Sequence, residues 1–207
     1  MGKFITFEGG EGAGKSTQVT ILAQRLETEF GLKVVVTREP GGSPFTEKIR
    51  DLILSKRPAV CETEFLLFAA SRTEHIATVI TPALKAGYFV ICDRFIDSTR
   101  VYQGVLGDVS PEFIKTVEQF TVRPYIPELT LILDVPAELS ISRARTRGAL
   151  SRYDAIAKEQ HQVLRNGFLE IAMHEPRRCV VIDGARSEEK VGAEVFETVV
   201  SRLQLRS

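Results

Sequence analysis

The stretch Lys3–Leu26, "KFITFEGGEGAGKSTQVTILAQRL", decides the fold. Its opening "KFITFE" is a short run of aromatic and β-branched residues, which reads as a buried strand. "GGEGAGKS", Gly9 to Ser16, follows at once and fits G-x-x-x-x-G-K-[ST]. Beyond it, apolar residues recur at Val19, Leu22, Ala23 and Leu26, a helical spacing that Gly31 ends. Strand, glycine loop and helix in that order make a phosphate-binding loop. Gly9, Gly10, Gly12 and Gly14, with the small Ala13, let successive backbone N–H groups turn toward an anion that side chains would block. The helix start at Ser16 and Thr17 offers its positive end. Glu11 completes the stretch of candidate ATP contacts. Lys15 can reach the β- and γ-phosphates, and Ser16 can ligate Mg²⁺. The loop nevertheless holds one cation, Lys15, so a phosphoryl-transfer enzyme must find the rest of its positive charge elsewhere.

Outward from this stretch the same alternation continues. "KVVVTRE", "YFVICD", "LTLILDV" and "CVVID" read as four more strands. Between them lie helical patterns, among them "TEKIRDLIL", "SPEFIKTVEQF", "AELSISRARTRG" and "AIAKEQHQVLRNGFLEIAMHE". One long helix is expected over "ETEFLLFAASRTEHIATVITPALKAG", kinked at Pro82 and stopped at Gly87. "SEEKVGAEVFETVVSRLQL" closes the chain as a helix. Apolar strands alternating with helices predict an α/β protein, a five-stranded parallel sheet with helices on both faces, as one P-loop domain over residues 1–207. Ligands bind such sheets at the carboxyl ends of the strands. Glu8, Arg38, Asp93 and Asp134 all fall there.

The totals bound the function. Among 207 residues, Lys+Arg and Asp+Glu both number 27, so any phosphate site is a local cluster. A balanced charge argues against a general nucleic-acid or membrane-surface binder. Cys61, Cys92 and Cys179 are far apart and read as free thiols, and no Cys/His spacing suggests zinc. The N-terminal apolar run is too short for a signal peptide, and no stretch is long enough to span a bilayer. A cytoplasmic protein is the expectation.

Several side chains point to phosphate chemistry. "VICDR" sets Asp93 at a strand end beside Arg94, where an aspartate organises the Mg²⁺ shell of a P-loop. Asp134 in "LILDV" is the rival; Arg94 favours Asp93. "TREPGGS" sets Arg38 at another strand end, where a guanidinium can clamp a phosphate, and leaves a cis bond before Pro40 open. Phe68 and Arg72, four apart in "FLLFAASR", share a helix face and could stack on a base and bond its edge. Taken alone, that pair reads better as a core phenylalanine and a solvated arginine.

The missing charge has a candidate source. From Leu139 to Arg152 there is no acidic residue, but there are Arg143, Arg145, Arg147 and Arg152 around Gly148. A solvated basic helix end is the plain reading. With a single cation in the P-loop, a short lid at about 143–154, carrying Arg147 and Arg152 over the donor, is favoured. Arg38, Arg72 and Arg94 lie far along the chain from it, which argues for two anionic nucleotides rather than one. No N-K-x-D motif is present, so a Ras-like GTPase is disfavoured. A kinase for another nucleotide or nucleoside and a non-catalytic ATP-binding module remain as alternatives.

"FEGGEGAGKST", "TREPGGS", "LLFAASRTEHI", "VICDRFIDST", "VYQG" and "RARTRGALSRYD" together resemble the thymidylate kinase family, in order, from Lys3 to about Ala172. The resemblance implies transfer of the ATP γ-phosphoryl group to dTMP, with Mg²⁺, in a homodimer. It implies that Phe68 stacks on thymine and Arg72 bonds the base edge. Arg38 and Arg94 would hold the dTMP phosphate, Ser98 and Thr99 would lie by the base, and Tyr102, followed by Gln103, would sit against the sugar. Glu8 would lie near the acceptor sugar or the metal shell, and with Lys15, Arg94 and Arg152 it makes up the expected catalytic set. Arg143 and Arg147 would meet ATP. Gly12 and Ala13 with a basic lid resemble the style in which the lid, not the P-loop, supplies the arginine. Ser71, Arg100 and Val101, and "GVLGDV" after "VYQG", depart from the family's usual residues.

Overall fold

The first strand, β1 (Phe4–Glu8), is buried along its whole length. Its neighbours are β3 (Phe89–Asp93) and β4 (Leu129–Asp134), both parallel to it. β2 (Val34–Arg38) and β5 (Cys179–Asp183) close the sheet, giving the order β2-β3-β1-β4-β5, all parallel. The computed structural model describes residues 2–55, 59–146, 153 and 156–205. The five expected strands and their parallel arrangement are observed. The chain leaves β1 to one side for β2 and β3 and to the other for β4 and β5, so the sheet reverses its order at the carboxyl end of β1. That reversal opens a crevice, and the glycine loop sits in it.

Helices cover both faces. α1 (Lys15–Phe30) and α9 (Glu188–Leu203) pack together on one, over Ile5, Phe7, Ile91, Leu131, Leu133 and Ile182. The opposite face buries Phe4, Val90, Cys92 and Ile132. Against it lie residues of α8 (Lys158–His174) and of α5 (Ile96–Thr99) with the π-helical segment Arg100–Leu106 that continues it. Successive strand residues point to opposite faces, so β1, β3 and β4 must be apolar on both. β2 and β5 are edges and are only partly covered; Val36 is 51% exposed.

The long helix expected over residues 62–87 runs on through one irregular turn. α3 (Cys61–His75) and α4 (Thr81–Lys85) are joined by a π-helical turn, Ile76–Ile80, just ahead of Pro82. Proline cannot donate to the ladder, and the wider turn accommodates it. Ser43 caps α2 (Pro44–Ile53), accepting from Thr46 N while Thr46 Oγ1 accepts from Ser43 N. Ser110 caps α6 (Pro111–Thr121) with Pro111 in its first turn, as the sequence suggests. α7 (Ala137–Thr146) carries Arg143 and Arg145. Arg147 and Arg152, with most of the expected lid, lie outside the described residues.

Candidate active site

The loop between β1 and α1 can approach its neighbours because Gly9 lacks a side chain. Its φ is 131°, and a Cβ there would come 2.6 Å from Leu133 O. Lys15 folds back over this loop, donating to Gly9 O at 3.1 Å and Gly10 O at 2.8 Å. Burial, with Arg94 adding its repulsion, lowers the Lys15 ammonium to about 8. Ser16 Oγ donates to Asp93 Oδ2 at 2.6 Å.

Two cavities open on either side of this point, and both are lined by Lys15 and Ser16. The first, about 290 Å³, lies over the ends of β2 and β3. Arg38, Phe68, Arg72, Asp93 and Arg94 face it, with Ser98, Thr99, Tyr102 and Gln103 behind them. The second, about 370 Å³, wraps the start of α1 from Gly12 to Gln18 and is closed by Arg143 and Arg186. A guanidinium therefore stands at the rim of each.

Arg94 is the most constrained residue of the site. It has φ 69°, a left-handed conformation that costs a non-glycine residue on the order of 1 kcal/mol or more. Its N–H donates to Phe7 O at 2.9 Å, which ties the strained residue to β1. Nη1 donates to Gly9 O (3.1 Å) and Ser98 Oγ (3.0 Å), and Nη2 to Glu11 Oε1 (2.7 Å) and Tyr102 OH (3.3 Å). Burial works against its charge, but Glu11 and the other carboxylates outweigh it and raise its pKa. Arg94 thus stays a cation at any working pH.

Arg72 is not the solvated residue that its isolated pattern suggests. It is 2% exposed and bonded to Glu39 Oε2, Phe95 O and Thr99 Oγ1. Phe68, one turn before it, is half-buried and lines the first cavity rather than the core. Arg38 is half-exposed and pairs with Glu47 at 3.0 Å, close enough to the rim to exchange that carboxylate for another anion. The Glu39–Pro40 bond is cis. Gln103 and Tyr153 both donate to Glu64 Oε1, at 2.8 and 2.7 Å.

Two residues stand elsewhere than expected. Glu11 belongs to the P-loop, yet its side chain turns away from the second cavity and into the first, between Arg94 and Tyr102. The loop's backbone serves one cavity and this carboxylate the other. Glu8 lines neither. It is wholly buried and accepts from Phe95 N (2.8 Å), Ser98 N (3.3 Å) and Ser98 Oγ (2.6 Å). Burial, reinforced by nearby Asp97, raises its pKa to about 7. Its oxygens fix the start of α5 beneath the cavity.

Some site residues escaped the sequence reading. Arg50 lines the first cavity and donates to Pro40 O at 2.7 Å. An arginine late in a short amphipathic helix carries no local sign of this. Arg186 lines the second cavity, and there a sign existed: it follows "IDG" at the carboxyl end of a strand. Arg143, expected to meet ATP, lines the second cavity together with P-loop residues, with Nη1 and Nη2 donating to Gly184 O (2.7 Å) and Ala185 O (3.2 Å). Ser140, on the same helix, donates its hydroxyl to Glu11 O. The departure at Arg100 leaves the cavity alone, because its guanidinium turns to Glu118, Glu175 and Asp97.

Comparison with known proteins agrees with this geometry. The thymidylate kinase family model matches residues 7–195. Curated thymidylate kinases from two strains of Bradyrhizobium, BTAi1 and ORS 278, are each 50% identical over 98% of this chain and 91% of the relative. The crystal structure of thymidylate kinase from Ehrlichia chaffeensis superposes with a TM-score of 0.81 at 34% identity, covering 96% of this chain and 98% of that one. A P-loop flanked by two cavities, a sheet of matching topology and relatives matched over most of their length place this chain in the thymidylate kinase family.

Proposed function

We propose that this protein transfers the γ-phosphoryl group of ATP to dTMP, giving dTDP and ADP. The observation that carries the reading is the meeting of two cavities at Lys15 and Ser16. ATP lies in the second, its phosphates against the loop N–H groups and the start of α1, between Gly12 and Thr17. dTMP lies in the first, its phosphate toward Lys15. A phosphate oxygen of dTMP forms a bond to the γ-phosphorus as the bond to the β–γ bridging oxygen breaks, and that oxygen leaves on ADP. The attacking phosphate is already largely ionised near neutral pH, so no side chain need take a proton from it. What the protein supplies is alignment and positive charge.

The residues divide accordingly. Arg38 and Arg94 hold the acceptor phosphate. Phe68 stacks on the base and Arg72 bonds its edge, with Ser98, Thr99 and Gln103 walling the pocket. Tyr102 and Glu11 face the sugar. Lys15 spans both nucleotides, and Arg143 borders the donor. Arg147 and Arg152 belong to a lid over about 143–154, within one P-loop domain. Ser16 and Asp93 fit a Mg²⁺ site: they are hard oxygen donors, they already touch, and Mg²⁺ characteristically takes one or two carboxylates with phosphate and water. Such a metal would neutralise charge on the β- and γ-phosphates.

A homodimer is part of the proposal. α3 packs between α2 and α6, and these three helices expose Phe45, Leu52, Leu66, Phe113 and Phe120. Phe120 is 85% exposed, and with the other four it gives these helices a concentration of exposed apolar side chains of the kind that marks an interface. A cytoplasmic setting is supported by the free thiols of Cys61, Cys92 and Cys179. No helix among the described residues is long and apolar enough to cross a membrane.

The test is acceptor-dependent ADP release across a panel of nucleoside monophosphates. dTMP should give the highest kcat/KM. A large preference for AMP or dCMP, or ATP binding without acceptor-dependent turnover, would remove this reading.

A further inference from the structure

α3 carries Phe68, Arg72 and His75 at helical spacing, and the first two line the acceptor cavity. His75 does not reach it. The imidazole is wholly buried behind Arg72, with Nδ1 3.0 Å from Glu39 Oε1 and Nε2 2.7 Å from Thr37 Oγ1. A carboxylate oxygen accepts, so Nδ1 donates to Glu39. The ring reaches both partners across Gly42, where a Cβ would come 2.6 Å from Nε2 and 2.6 Å from Thr37 Oγ1. Gly42 itself has φ 95°. One buried ring therefore joins the end of β2, the turn after Pro40 and α3.

Glu39 divides its oxygens. Oε1 takes His75, and Oε2 takes Arg72 Nε at 2.7 Å. Arg72 Nη2 donates to Phe95 O (3.2 Å) and Thr99 Oγ1 (2.8 Å). The Nε–Nη2 edge of the guanidinium is thereby fixed. Nη1 makes no hydrogen bond among the described residues and is not sealed from the cavity beside Phe68. If Oε1 lost its imidazole, Glu39 could turn both oxygens onto the guanidinium in a two-point pair. That would swing Nη1 away from the cavity.

We propose that His75 is a positioning residue for acceptor choice: by holding Glu39 against Thr37, it orients Arg72 so that Nη1 meets a carbonyl on the acceptor base. A guanidinium nitrogen only donates, so a base with an amino group at that edge is refused. The inference rests on the dTMP kinase reading, which supplies the base at that edge.

The experiment compares steady-state kinetics of wild type, His75→Leu and His75→Asn with dTMP and with dCMP. His75→Leu should raise KM for dTMP about tenfold and leave kcat within about threefold, since one charged hydrogen bond is being misdirected. KM for ATP should not move. The preference for dTMP over dCMP in kcat/KM should fall about tenfold. His75→Asn keeps a donor for Glu39 and should recover most of both losses. If His75→Leu does not fold, Thr37→Val carries the test: it removes only the partner of Nε2 and should raise KM for dTMP about threefold. An unchanged KM for dTMP with an unchanged preference overturns the proposal, and so does a loss shared equally by ATP and dTMP. A wild-type enzyme that prefers another acceptor sinks the dTMP reading instead, and the role of His75 is then read from KM for that acceptor.

Discussion

Ser16 donates its hydroxyl proton to Asp93 Oδ2 across 2.6 Å and so joins the start of α1 to the end of β3. The rival carboxylate is engaged elsewhere. Arg165 bonds both oxygens of Asp134, at 2.6 and 2.8 Å, and Asp134 lines neither large cavity. Two aspartates at the carboxyl ends of strands, told apart in the sequence only by Arg94 beside Asp93, are separated in the structure by which one touches the P-loop.

Asp93→Asn should therefore raise the Mg²⁺ concentration for half-maximal rate by about tenfold or more, in the range found when a carboxylate near a metal is lost. Asp134→Asn should leave it unchanged. Titrating activity with Mg²⁺ at saturating nucleotides checks both. If the Asp134 variant shifts the curve and the Asp93 variant does not, the metal assignment is reversed.

Lys15 makes the rate sensitive to alkali. Burial lowers its ammonium from the usual 10.5 to about 8, so the free enzyme loses this charge as pH rises through about 8. Bound polyphosphate restores the pKa by adding negative charge beside it. kcat/KM for ATP, which reports the free enzyme, should fall above about pH 8 with a slope approaching tenfold per unit, while kcat holds to higher pH. Lys15→Ala should lower kcat by about a hundredfold or more and remove this limb of the profile. An alkaline limb that persists in Lys15→Ala would belong to another group.

The fold was largely legible, because its signals are local. Strand, glycine loop and helix lie within the first 31 residues, and the remaining strands announce themselves as apolar runs between helical spacings. What escaped lies where tertiary contact overrides pattern. The π-helical turn at Ile76–Ile80 has the composition of plain helix, and only Pro82 just beyond it marks the place. Arg72 looks solvated in its local pattern because Glu39, its partner, is 33 residues away in sequence. Glu11 looks like a donor-side residue because it sits in the P-loop motif, but a loop residue's backbone and side chain can face opposite ways. Arg50 offers no local sign at all.

Glu8 should reveal itself through stability rather than turnover. Its folded pKa is about 7 against an ordinary 4.5, chiefly through burial. Between these values the native state keeps a proton that the unfolded chain releases, so Glu8 makes the protein less stable as pH rises from about 4.5 to 7. The full effect is at most about 3 kcal/mol. Glu8→Gln keeps an acceptor for Phe95 N and cannot ionise. The stability gap between variant and wild type should therefore move in favour of glutamine between pH 5 and 8. Urea melts at several pH values measure it, and a gap that stays constant would mean that Glu8 is ionised throughout.

Phe68 is half-buried at the cavity wall, one turn from Arg72. Stacking of an aromatic ring on a base is worth about 1–3 kcal/mol. Phe68→Ala should raise KM for dTMP by roughly five- to a hundredfold, leave KM for ATP alone, and cost little thermal stability. A variant with unchanged KM and a lowered Tm would return Phe68 to the role of a packing residue.

The donor side is short of charge, and that shortage gives the last prediction. The second cavity is bordered by Lys15, Arg143 and Arg186. Lys15 is committed to loop carbonyls at 2.8 and 3.1 Å, and Arg143 to Gly184 O and Ala185 O. Arg186 is paired with Glu194 and Asp183. Charge that develops on the transferring phosphoryl group needs a cation not already spent, and the sequence offers Arg147 and Arg152 soon after α7. α7 is itself tied to the P-loop through Ser140 and Glu11 O, so the helix that leads to these arginines is anchored beside the donor. Arg152→Ala should lower kcat by about 10³ or more, the scale of an arginine acting on a phosphoryl transition state, with KM for dTMP changed by less than about threefold. Arg145, on α7, lines neither cavity, and Arg145→Ala should have no such effect. Equal activity in Arg152→Ala and wild type would remove the lid from the mechanism and leave the phosphoryl charge to the metal and Lys15.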